Sequence, residues 1–307
     1  MFVINPDTYS LPCYRIGPFR TQDISINSFL PDSDLIDDYF RKIFRDKKFI
    51  YTINGRKALN IALSSYNLNN DDIVTILTTT GNFYISGCVT KEIEKFCKWS
   101  REVVPETRLL LVNHEFGYPY KDLRKLKKYG FPIIEDCAGS FFSEDPEATI
   151  GRVGDFSIYS FPKMFPLQIG GLLVSNPSSD GNTDYKISHE ELRYIKNVLS
   201  HYIIEKDSII RERKYNYDFL LEKFESLGFT GKFETDHGVV PGVFMFRTDR
   251  YKLELPELKK YFWAHGIQCS VFYGEEAFFI PVHQALNEQG MLYFVEVMKS
   301  FMLKSGL

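Results

Sequence analysis

Arg108-Leu109-Leu110-Leu111-Val112-Asn113 and Pro132-Ile133-Ile134-Glu135-Asp136 are short, almost wholly apolar runs that end in polar residues. Such runs lack the apolar/polar alternation of a half-wet strand. They predict strands buried on both faces, as in a largely parallel sheet covered by helices. Residues 73–77, 156–161 and 171–175 read the same way. Helical patterns separate them. Asn54-Gly55-Arg56-Lys57-Ala58-Leu59 opens a helix whose Ala58, Ile61, Ala62 and Leu63 recur at helical spacing, residues 86–96 form another, and 120–129 form a basic one. Upstream, Asp32-Ser33-Asp34 precedes Leu35-Ile36-Asp37-Asp38-Tyr39-Phe40 as a capped helix start. Alternating strand and helix predict an α/β fold with a mostly parallel central sheet between helices.

Composition shifts at Asn176-Pro177-Ser178-Ser179-Asp180-Gly181-Asn182, a linker-like run. We therefore expect a large domain over 1–180, with an N-terminal arm, and a smaller α+β domain over 181–307. The second holds a long helical pattern over 189–227 with a break, short strands over 239–246, a helix over 256–265 and a closing helix over 290–303.

The 307 residues carry 37 Lys+Arg against 40 Asp+Glu, a net charge of −3, which speaks against a broad nucleic-acid surface. At 44% hydrophobic and 25% charged, the chain has ordinary globular usage. The 5 cysteines are odd in number and scattered, with no CxxC pair, so neither a disulfide framework nor a zinc knuckle is expected, and no metal site is read. Met1 to Asp7 lacks a basic-then-apolar leader, and no apolar stretch is long enough for a membrane helix. The expectation is a cytoplasmic protein without nucleic-acid or membrane partners.

In open α/β sheets ligands sit beyond the carboxyl ends of strands. That rule selects Thr78-Thr79-Thr80, His114, Asp136 and Lys163. A helix N-terminus at Gly55-Arg56-Lys57 offers unpaired N–H groups to a phosphate. An acid at a buried strand end can hold a cationic ring nitrogen, and a lysine in a partly desolvated pocket becomes a nucleophilic amine. Phosphate, ring nitrogen and aldehyde are the three handles of pyridoxal phosphate. A nicotinamide enzyme would instead need a Gly-x-Gly-x-x-Gly turn after a strand, and none is present.

From about Asn54 to Ser175 the chain resembles the DegT/DnrJ/EryC1/StrS sugar aminotransferase family, whose members have the aspartate-aminotransferase-like fold, fold type I of the pyridoxal-phosphate transferases. The family's phosphate-binding Gly-Ser/Thr-x-Ala-Leu is similar to Gly55-Arg56-Lys57-Ala58-Leu59, and its Ile-Glu-Asp-Ala-Ala to Ile134-Glu135-Asp136-Cys137-Ala138. Its Gly-Asp…Ser-Phe…Lys…Gly-Gly run is matched by Gly154-Asp155, Ser160-Phe161, Lys163 and Gly170-Gly171, and its Val-His-x-x-Gly by Asn113-His114-Glu115-Phe116-Gly117. The resemblance implies that Lys163 holds pyridoxal 5′-phosphate as an imine and that Asp136 partners its ring nitrogen. Gly55, Arg56, Lys57 and Ser160 would lie about the cofactor. Phe83, with Tyr84 as its rival, would stack on the ring. His114 reads equally as a core histidine or a residue on the substrate side. Arg56 and Gly139 depart from the family pattern, Ser160 lies two residues nearer the lysine than usual, and the chain is short between Phe83 and Arg108.

The implied activity is transamination, with glutamate as donor and a nucleotide-linked keto sugar for surface polysaccharide as acceptor, in a two-fold homodimer. The other reading is a catalytically silent chain that keeps the fold as a binding or assembly module. Arg56 and Gly139 favour it, and Lys163 speaks against it.

Overall fold

The computed structural model describes residues 12–179, 184–234 and 236–307. In chain order its elements are α1 (Asp23–Ser28), α2 (Leu35–Phe44), β1 (Lys48–Thr52), α3 (Gly55–Ser64), β2 (Ile73–Thr78), α4 (Gly87–Ile93), β3 (Lys98–Ser100), β4 (Thr107–Asn113), β5 (Ile133–Asp136), β6 (Phe156–Ser160), β7 (Gly171–Ser175), α5 (His189–Ile203), α6 (Lys206–Ser226), β8 (Thr230–Gly231), β9 (Phe244–Arg247), α7 (Leu255–Ala264), β10 (Ser270–Val271), β11 (Ala277–Ile280) and α8 (Glu288–Lys304). Three 3-10 segments, Glu115–Gly117, Leu123–Tyr129 and Phe161–Lys163, follow strands or join them.

Seven strands form one sheet in the order β1-β7-β6-β5-β4-β2-β3. Neighbours from β3 through β6 run parallel, while β7 runs antiparallel to both β6 and β1. Two reversals leave β1 parallel to β6, so the carboxyl ends of β1, β2, β4, β5 and β6 share one edge. The expected mostly parallel sheet is therefore present. The strands β1 and β3 were not foreseen, because β3 has only three residues and β1 begins Lys48-Phe49, without an unbroken apolar run.

Strand alternation sorts the core into two layers. Leu109 and Leu111 of β4, Ile134 of β5, Ile158 of β6 and Leu173 of β7 pack with Ala58, Leu59, Ile61, Ala62 and Leu63 of α3. Leu110 and Val112 of β4 and Ile133 of β5 pack on the opposite face with Leu123 and Leu126. The basic segment read as a helix over 120–129 is a 3-10 run over Leu123–Tyr129. Asp122 enters it at φ 60° and Gly130 leaves at φ 73°, and Asp122 makes no side-chain cap. The helix read over 86–96 is shorter, Gly87–Ile93.

Helix α3 starts where Asn54 caps it. The Asn54 side chain accepts from Lys57 N at 2.9 Å. The preceding turn is pinned from several sides. Thr52 Oγ1 donates to Asn54 O (2.9 Å), Ile53 N to Tyr185 Oη (3.0 Å), and Gly170 N to Ile53 O (2.7 Å).

Contacts divide the chain into two compact units. One is Phe19–Asp207 with His237–Val240, and the other comprises the described residues of Met1–Pro18, Ser208–Asp236 and Pro241–Leu307. The boundary read at 180/181 lies outside the described residues, as does the start of the N-terminal arm; α5 stays with the sheet unit. The smaller unit holds the four-stranded antiparallel sheet β10-β11-β9-β8. Its core joins Leu220 and Phe224 of α6, Phe244 and Phe246 of β9, Phe262 of α7 and Phe294 and Met298 of α8. Of the short strands read over 239–246, only β9 forms there.

Gly171 has no room for a side chain. A Cβ there would lie 2.5 Å from the Asn54 carbonyl carbon and 2.7 Å from Gly55 N, and neither backbone atom can move away without shifting the turn. Gly171→Ala should therefore lower stability by about 3 kcal/mol, the upper end of ordinary overpacking costs. A urea titration should show the lower midpoint with an unchanged slope.

Candidate active site

The alternation that sorts the core also sorts the sheet's carboxyl edge. Continuing the face that packs on α3, each strand presents one residue there: Asn113 from β4, Asp136 from β5, Ser160 from β6 and Gly171 from β7. Register aligns Asn113 with Asp136 and Ser160 with Gly171.

Asp136 is buried, at 5% exposure. Its Oδ2 accepts from Asn113 Nδ2 at 2.9 Å and its Oδ1 from Ala138 N at 3.0 Å. A carboxylate has about four acceptor positions, so two hydrogen bonds leave capacity for a further donor. Ser160 adjoins the start of α3, where a Cβ on Gly55 would lie 3.1 Å from the Ser160 Cβ. Because Asn54 takes the Lys57 N–H, the N–H groups of Gly55 and Arg56 are the first two of α3 without an intrahelical partner. Lys163 closes the 3-10 segment after β6. It is exposed, while its neighbours Phe161, Met164 and Phe165 are fully buried and fix the backbone that carries it.

The other face of the same strands carries a hydrogen-bonded cluster. Glu135 accepts from the backbone N–H groups of Gly151 (2.7 Å), Val153 (2.9 Å) and Gly154 (2.6 Å). His114 Nε2 lies 3.2 Å from Glu135 Oε2, and Tyr120 N donates to His114 Nδ1 at 3.0 Å. A backbone donor at Nδ1 puts the ring proton on Nε2, which donates to Glu135. Cys137 Sγ is close enough to both for the three to resemble a metal-ligand set. Their lone pairs are already committed, however, and burial pushes the Cys137 thiol well above its ordinary range.

Arg56, Lys57 and Phe83 lie differently than expected, and His114 takes the first of its two readings. His114 points away from the edge, because it falls on the opposite face from Asp136; it is a core histidine. Arg56 is exposed, and its Nη2 donates to Cys88 Sγ of α4 at 3.0 Å, so its guanidinium lies toward the neighbouring helix. The Lys57 ammonium sits over the Tyr185 ring, 5.0 Å from its centroid. Phe83 is 71% exposed and tilts against Trp99, 6.5 Å between centroids, toward the sheet edge farthest from β6. The expected stacking ring is therefore not brought to Asp136.

Residues without a sequence signal hold the neighbouring loops. Arg101 donates to Ile76 O, to Thr78 Oγ1 (3.0 Å) and to Asn82 O (2.6 Å). Glu115 Oε2 accepts from the Thr80 N–H and hydroxyl, both at 2.7 Å. Burial pushes the Glu115 carboxyl up and the Arg101 guanidinium down. Asn113 carried a readable signal, a polar side chain at the end of an apolar strand and an even number of residues from Leu109 and Leu111.

Residues 97–188, a span that includes Asp136 and Lys163, match the DegT/DnrJ/EryC1/StrS aminotransferase family. Over 96 residues the chain is 34% identical to the UDP-4-amino-4,6-dideoxy-N-acetyl-beta-L-altrosamine transaminase of Campylobacter jejuni, covering 30% of this chain and 23% of that protein. Over 189 residues it is 25% identical to the dTDP-3-amino-3,6-dideoxy-alpha-D-galactopyranose transaminase of Aneurinibacillus thermoaerophilus, covering 54% of this chain and 50% of that one. The chain spans half or less of the length of the curated relatives it matches. The aminotransferase TlmJ from Streptoalloteichus hindustanus has the same fold, with a TM-score of 0.72 at 14% identity over 93% of this chain and 95% of that one. The family resemblance and the fold class read from the sequence both hold.

With its guanidinium directed toward Cys88, Arg56→Ala should change pyridoxal phosphate affinity little, by less than about threefold. A direct phosphate contact would be worth tenfold or more. Fluorescence titration of the cofactor-free protein measures the difference.

Proposed function

We propose that the chain is a pyridoxal-phosphate-dependent aminotransferase acting on a nucleotide-linked keto sugar. The observation that carries the reading is the shared face at the sheet's carboxyl edge. There the buried Asp136 carboxylate, Ser160 and the open N-terminus of α3 lie on adjacent elements, with Lys163 three residues beyond Ser160. These groups fit the cofactor's ring nitrogen, phosphate and aldehyde. The close approach of Gly55 to Ser160 supports the phosphate end, because it leaves the first N–H groups of α3 beside a hydroxyl.

When bound, pyridoxal phosphate supplies an aldehyde that captures amines and a ring that takes up the electron pair released at the amine's α-carbon. The chain's residues do the rest. The Gly55 and Arg56 N–H groups and the Ser160 hydroxyl bind phosphate. Asp136 holds a proton on the ring nitrogen. Lys163 would hold the cofactor through its aldehyde, and its amine, when free, would move a proton between the donor's α-carbon and the cofactor's C4′. Glutamate as donor, a product destined for surface polysaccharide, and a cytoplasmic homodimer belong to the same proposal.

Two measurements test this. Protein saturated with pyridoxal phosphate should absorb in the visible range, and borohydride reduction followed by peptide mapping should place the label on Lys163. A label on another lysine rejects Lys163. No binding at all rejects the enzyme and favours the binding-module reading. Asp136→Asn should keep the cofactor but lose transamination by about a hundredfold or more, since the ring nitrogen loses its anionic partner. Turnover near that of the wild type would remove Asp136 from the mechanism.

A further inference from the structure

We infer that Asn113 is the positioning residue for Asp136, orienting its carboxylate toward a bound cationic ring nitrogen. This rests on the cofactor reading above and concerns a residue for which that reading has no role.

Three observations carry it. First, Asn113 and Asp136 are register partners on adjacent parallel strands, and both project to the α3 face of the sheet. Second, the Asn113 amide donates to Asp136 Oδ2 at 2.9 Å while Ala138 N takes Oδ1 at 3.0 Å, so the carboxylate plane is fixed from both oxygens. Third, Asn113 is itself held. Its carbonyl accepts from Thr79 N at 3.2 Å and its register partner on β2 is Thr78, which Arg101 anchors.

The residue type matters. A lysine or arginine at this position would also fix the carboxylate, but its positive charge would compete with the ring nitrogen for the same anion. An amide donates through one N–H and adds no net charge. The carboxylate is thereby oriented while its negative charge stays available. Hydrophobic residues of similar volume, such as leucine, would leave Oδ2 without this donor.

The test uses the full chain and pyridoxal phosphate labelled with nitrogen-15 in the ring. Wild type, Asn113→Leu and Asn113→Gln are compared for cofactor affinity and for the ring nitrogen's chemical shift, which separates the protonated from the neutral form. Circular dichroism and urea midpoints check folding. Asn113→Leu should bind about tenfold more weakly, as expected for loss of a hydrogen bond to a charged group. Its ring nitrogen should shift toward the neutral position, and Asn113→Gln, which keeps an amide, should recover part of both. A purely structural role would lower the urea midpoint without moving the ring-nitrogen signal. Leucine and wild type with equal affinity and the same shift overturn the inference while leaving the cofactor reading intact, and so does a Gln variant that recovers neither in a folded protein. No binding by the wild type overturns both.

Discussion

The turn between β1 and α3 rests directly on the backbone of β7, with no side chain between them. A Cβ on Gly171 would strike the Asn54 carbonyl carbon at 2.5 Å, so only glycine permits this seat. The rest of the candidate site depends on it. The contact places the first turn of α3 beside Ser160, and it requires β7 to run antiparallel between β1 and β6 so that its first residue reaches the carboxyl edge. The apolar residues of α3 then cover one face of the sheet down to β4. Site and core are consequences of one close approach.

Two acids that follow each other in β5 divide the labour. Glu135 faces a dry interior and accepts three backbone N–H groups and the His114 ring, which fixes the 151–154 loop that leads into β6. Asp136 faces the edge and accepts two donors. Burial makes unpaired carboxylates costly, and the number of donors around Glu135 matches its depth. Asp136, with two donors, keeps acceptor positions that Glu135 has filled.

Much of this was legible in the sequence. The runs ending at Asn113 and Asp136 are apolar without alternation, and that alone implied buried parallel strands. Asp136 and Lys163 stood out because each follows such a run, and Gly55 because glycine opens a helix there. What failed was the treatment of side-chain direction. As a residue type His114 fits the core and the substrate side equally, and what decides is that it lies an odd number of positions from Leu109 and Leu111, and so on the other face. Phe83 could not have been placed, since its ring lies against Trp99 on a three-residue strand that carries no periodic signal. The Arg56 contact with Cys88 joins two helix starts distant in sequence, and no local pattern encodes it. The antiparallel edge strand β1 escaped for a similar reason, as its pairing with β7 spans most of the sheet unit.

The adjacency of Glu135 and Asp136 also ties the sheet's pairing to its chemistry. A slip of β5 by one position would exchange their faces, sending the Glu135 carboxylate to the α3 side and the Asp136 carboxylate toward the 151–154 loop. Neither acid could do the other's work, because the backbone donors of the 151–154 loop and the Asn113 amide would each meet the wrong partner. A misregistered β5 would thus leave the N–H groups of the 151–154 loop without the Glu135 carboxylate and Asp136 without the Asn113 amide.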